Sequence, residues 1–140
     1  MLAGCGGSSG GNEALPDWTA TPKPDAAGHI AVADYNDFLA GDGKVFARSP
    51  TAASAEFLGL DRTSAMVSTV QATSPGEVRN FSEVVATLTG LQDDSVRDAR
   101  YTLEFQKDKV SGDWRLRAAD YAQRCQSGRG HQGYSPALCS

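Results

Sequence analysis

Near the C-terminus, Cys125, His131 and Cys139 carry side chains that bind metals or act as nucleophile and base. Their spacing matches no standard zinc signature, and a structural zinc site takes a fourth ligand. His29 is too far along the chain to be assigned as that ligand, so no metal is expected. A Cys125–His131 nucleophilic pair would require a free thiol. Gly128 and Gly130 flank Arg129, which lets the loop take positive φ. Arg129 and His131 are then candidates to bind an anion or partner through a guanidinium fork and an imidazole. In the competing reading Arg129 packs on Tyr134 or Tyr121, or pairs with a carboxylate, and the glycines only let the loop turn. Arg115 and Arg117 are the second candidate pair. Strand alternation places them on one face, with Arg100 and Arg124 as potential neighbours. They form either a positive patch or counter-charges to Asp93, Asp94 and Asp98.

The elements that must position these residues belong to a chain of 140 amino acids, enough for one domain with a modest core. Hydrophobic residues make up 40% and charged residues 21%, a balance that favours folding over disorder. Thirteen Lys and Arg against seventeen Asp and Glu leave a net charge of -4, so nucleic acid is not the expected partner. No run of about 18 apolar residues is present to span a membrane. P-loop, GxGxxG and serine-elbow motifs are absent, and neither a cofactor nor a catalytic residue is assigned.

Residues Leu2-Ala3-Gly4-Cys5 resemble the end of a bacterial lipoprotein signal, in which small residues precede the cysteine that receives diacylglycerol and palmitate-type chains. The resemblance implies lipidation of Cys5 and a place on the extracytoplasmic face of the cell membrane. Residues 6–13 are mostly Gly and Ser, and residues 14–28 contain Pro16, Pro22 and Pro24, so 1–28 reads as a flexible tether. Within it, Trp18 either folds back on the domain or contacts a ligand or partner. If Cys5 carries lipid, Cys125 and Cys139 remain to pair, and an oxidising exterior favours a disulfide. That bond would pin the tail of a domain spanning 29–140.

From His29 the pattern turns helical, with Val32, Tyr35, Phe38 and Leu39 on one face, until Gly41 and Gly43. A second helix has Ser49 as cap, Pro50 in its first position and Gly59 as its stop. Lys44–Arg48 is a short strand or a connection. Residues 66–73, 84–91, 96–107 and 114–125 read as strands, with Ser74-Pro75-Gly76, Gln92–Ser95 and Lys107–Gly112 as turns. In the last strand Trp114, Leu116 and Ala118 alternate with Arg115, Arg117 and Ala119. Helices followed by an antiparallel meander make an α+β layer domain.

With Tyr101-Thr102-Leu103-Glu104-Phe105 and Gly112-Asp113-Trp114-Arg115-Leu116 forming its final hairpin, this order resembles the NTF2-like (SnoaL-like, cystatin-like) cone over roughly residues 29–125. The resemblance implies helices packed on a curved sheet and a cavity that takes small apolar molecules. In some members the cavity carries acid–base chemistry, for which Asp34, Asp37, Tyr35, Tyr101 and Tyr121 would be the available groups. The expectation is a lipid-anchored, non-enzymatic module binding an envelope protein or small apolar ligand. The alternative is an isomerase- or dehydratase-type cavity enzyme.

Overall fold

A computed structural model of the chain describes residues 18, 20–63, 65–73 and 80–140. Cys5, nearly all of the Gly/Ser/Pro tether before Thr21 and the Ser74-Pro75-Gly76 turn lie outside these residues. The elements are β1 (His29–Ile30), α1 (Ala33–Ala40), a 3₁₀ helix (Lys44–Arg48), α2 (Pro50–Leu58), β2 (Met66–Thr73), β3 (Phe81–Thr89), β4 (Val96–Lys107) and β5 (Trp114–Cys125). The strands form one antiparallel sheet in the order β1-β5-β4-β3-β2, with both α-helices against it. The domain is therefore α+β. Among the described residues no helix is long and apolar enough to cross a membrane.

Local chemistry accounts for α2. The Ser49 hydroxyl accepts a hydrogen bond from the Ala52 N–H at 3.3 Å, Pro50 occupies the first turn, and Gly59 ends the helix at φ 64. Helix α1 buries Tyr35 and Leu39. The helical pattern expected from His29 starts later, because His29 and Ile30 pair with Asp120 and Ala119 of β5. A two-residue strand has no periodicity of its own, so only its tertiary partner defines it. Lys44–Arg48 is a 3₁₀ connection rather than a strand.

Strand β3 begins at Phe81, three residues before the expected Val84, and buries Ser82, Val84, Ala86 and Leu88 in strict alternation. In β4, Leu103 and Phe105 are buried. The β5 alternation needs correction at one place. Glu104 opposes Ala118 while Phe105 opposes Leu116, so Arg117 is an extra residue in a bulge. Beyond it the phase flips: Ala119, not Ala118, is buried.

Tyr35, Phe57, Leu103, Phe105 and Leu116 fill the space between helices and sheet. Trp18 packs edge-on against Tyr35 at 5.0 Å and beside Phe57 at 6.2 Å, closing this aromatic cluster. At the other end of the chain, Cys125 and Cys139 are joined by a disulfide with Cα atoms 5.5 Å apart.

Candidate functional site

A cleft of about 560 Å³ lies between α1 and the β4–β5 hairpin, beside the β5 bulge. Helix α1 reaches across it with Asn36. The Asn36 amide donates to the Leu116 carbonyl at 2.7 Å, and the Leu116 N–H donates to the Asn36 carbonyl oxygen at 2.9 Å. These two hydrogen bonds tie down the backbone at buried Leu116, whose chain neighbours are Arg115 and Arg117. Lys107 and Lys109, at the hairpin turn, line the same cleft. The Lys107 ammonium lies 5.8 Å from the centre of the Trp114 ring.

Four cations thus line the cleft with one carboxylate, Asp108. That carboxylate already accepts from the Val110 and Ser111 N–H groups at 2.7 and 2.9 Å. These backbone donors, Ser111 foremost, hold its pKa below the usual aspartate value. Asp108 also interacts electrostatically with Arg115. Among the described residues no carboxylate lies within ion-pair distance of Arg117 or Lys109. Two guanidinium and two ammonium groups lining one cleft suit carboxylate or phosphate oxygens.

Arg100 and Arg124 do not join this patch. Arg124 makes two hydrogen bonds to Asp98, at 2.9 and 2.5 Å, and both arginines flank the Tyr134 ring, at 3.7 Å for Arg100 and 4.8 Å for Arg124. They hold the C-terminal segment to the sheet, and Arg124 supplies the counter-charge to Asp98.

No family model, curated protein or solved structure matches the chain.

Arg129 and His131 sit within the C-terminal segment. An Arg129 guanidinium nitrogen donates to the Ser140 carbonyl at 3.3 Å. The two His131 ring nitrogens face the Gly133 and Ala137 carbonyl oxygens at 2.8 and 2.9 Å. One ligand-type atom from each of Cys125, His131 and Cys139 lies within 4.8 Å of the others. The sulfurs are bonded to each other and the imidazole is taken up by carbonyls, so none of the three is placed to offer a lone pair to a metal. Gly130 is required here: at φ +138 an added Cβ would lie 2.9 Å from the Cys125 sulfur.

Of the acid–base candidates, Asp34 and Asp37 are exposed on α1, and the Tyr35 hydroxyl donates to the Ala53 carbonyl at 2.7 Å. Burial raises the Tyr35 pKa, and nearby Glu56 adds to the effect. Tyr101 and Tyr121 lie 5.1 Å apart, and burial pushes the Tyr121 hydroxyl up to about 12. Sequence reasoning missed Glu56, which is 8% exposed and accepts from the Trp18 backbone N–H at 2.7 Å. It also missed Asn36, Lys107 and Lys109. The polar turn containing both lysines is visible in the sequence, but their approach to α1 is not.

Proposed function

We propose that this chain is an extracytoplasmic lipoprotein, anchored through Cys5, that serves as a non-enzymatic binding module. Its cleft between α1 and the β4–β5 hairpin takes an acidic segment of a protein partner. The carrying observation is the local charge: four cations to one carboxylate, in a molecule whose overall charge is -4. Two helices that precede the four long strands of an antiparallel sheet and pack on it support placing the domain with the NTF2-like cones. The filled interior favours surface binding over capture of a small apolar ligand. Tyr35, Phe57 and Phe105 are wholly buried where a cone would hold its guest. The isomerase or dehydratase alternative calls for a carboxylate in an open pocket, whereas Glu56 is hydrogen-bonded beneath Trp18.

The test uses protein extracted from membranes. Mass spectrometry should find an acylated Cys5, and Cys5→Ala should move the protein to the aqueous fraction. A carbodiimide joins amines to carboxylates, so treating intact envelopes should link Lys107 or Lys109 to an acidic peptide of another protein. Arg115→Glu combined with Arg117→Glu should reduce that link at least tenfold. An unmodified Cys5, or links that persist in the double variant, would overturn the reading.

A further inference from the structure

The two edges of the sheet are treated differently. On the β5 side, β1 pairs with Asp120 and Ala119, and the Tyr121 N–H donates to the Gly28 carbonyl at 2.7 Å. Further along, the C-terminal segment takes over: Ser135 bridges Gln123, and the Cys125 N–H donates to the His131 carbonyl at 3.0 Å. The disulfide fastens that cover in place. Much of the β5 edge is thereby paired.

Strand β2, at the opposite edge, has none of this among the described residues. Its sequence Met66-Val67-Ser68-Thr69-Val70-Gln71-Ala72-Thr73 contains no charged residue and no proline, the usual guards of a free edge. Met66, Val67 and Val70 are exposed at 68%, 37% and 37%, and residues 71–73 are exposed as well. The one irregularity, a register shift between Val67 and Thr69, leaves Thr69–Thr73 in unbroken register with β3.

We infer that β2 pairs with β2 of a second copy of this chain, antiparallel and about a two-fold axis, joining two five-stranded sheets into one. The occupant follows from the strand's chemistry. An uncharged strand meets its own copy with no like-charge repulsion in any register, whereas a strand built for a charged peptide would carry the opposite charge. Centring the axis on Gln71, the middle of the regular stretch, places Thr69 against Thr73, Val70 against Ala72 and Gln71 against itself. The small-apolar and amide pairs are compatible across strands. The basic cleft lies at the far side of the sheet, on α1 and the β4–β5 hairpin, so pairing through β2 leaves it open in both copies.

Sedimentation velocity of the full chain in the Cys5→Ala background, across a concentration series, tests this. The expected result is a reversible monomer–dimer equilibrium. Gln71→Lys sets two ammonium groups opposite one another and should weaken dimerisation by about fivefold or more. Gln71→Glu should do the same, and mixing the two variants should restore dimers as Lys–Glu pairs. That rescue excludes misfolding as the cause of the loss. Val110→Lys, at an exposed site on the hairpin, should leave the equilibrium unchanged. A chain that stays monomeric throughout would overturn the inference, as would dimers indifferent to residue 71 or mixed variants that fail to associate. Protection of β2 amides from hydrogen exchange only when another protein is added would also overturn it, by assigning the edge to a foreign strand.

Discussion

At His131, both ring nitrogens face carbonyl oxygens, an arrangement that favours the imidazolium. Only the imidazolium can donate from both ring nitrogens, and the Ala137 and Gly133 carbonyls raise its pKa above 6.5. The folded value lies above the unfolded one. The contribution to stability is therefore complete below pH 6.5 and is lost as pH rises through the raised folded value. An NMR titration of the His131 ring should give a midpoint above 6.5 that falls toward 6.5 when the protein unfolds. A folded midpoint at or below 6.5 would contradict the arrangement. His29 shifts in the same direction through its 2.5 Å contact with Asp120, so the measurement must resolve the two rings. Asp98 behaves oppositely. Its hydrogen bonds from Arg124, with burial opposing, lower its pKa, so its contribution is present above about pH 4 and fades as pH falls through the depressed value. Asp98→Asn should cost about 1–3 kcal/mol near neutral pH, less than a fully buried pair because the Arg124 side chain is 33% exposed. Denaturant unfolding should show the gap between variant and wild type closing toward pH 3 and below.

At the level of elements, Asn36 joins α1 to β5. Its two hydrogen bonds satisfy a backbone N–H and a carbonyl beside the bulge, where regular pairing to β4 is interrupted. Asn36→Ala should cost about 1–3 kcal/mol, read by thermal or denaturant unfolding. It should also raise hydrogen exchange at Leu116 while leaving α2 protected. Carbodiimide linkage at Lys107 and Lys109 should fall with it, because the arginines lose their fixed mounting. In the sequence, Asn36 reads as part of the wet face of an amphipathic helix. Nothing local distinguishes a side chain that meets water from one that meets a strand 80 residues later. Arg115 and Arg117 were legible because β-alternation is local. Their separation from Arg100 and Arg124 was not, since it depends on where along two twelve-residue strands each residue falls.

On the scale of the whole molecule, the disulfide holds the C-terminal segment along the β5 edge, closing a loop with a sequence separation of 14. The chain-entropy model assigns such a loop about 3 kcal/mol. Cys139→Ser should lower unfolding free energy by about that amount and expose the Gln123 and Cys125 amides to exchange. Protection at Leu103 and Phe105 should survive, since those residues lie in the core away from the cover. Loss of all protection together would show that the segment is integral to the fold.

The sequence alone determined the class of the domain, the position of α2 and three of the four long strands, because caps, turn residues and two-residue alternation act over a few neighbours. It also singled out Cys125 and Cys139 as a pair once Cys5 was set aside. Only the tertiary structure decided β1, the β5 bulge, the filling of the interior by Trp18 and the aromatic cluster, and the cleft where Asn36 meets Leu116. Each of these is a meeting of segments distant in the chain. The energy that places them is shared between partners, so neither segment carries the signal on its own.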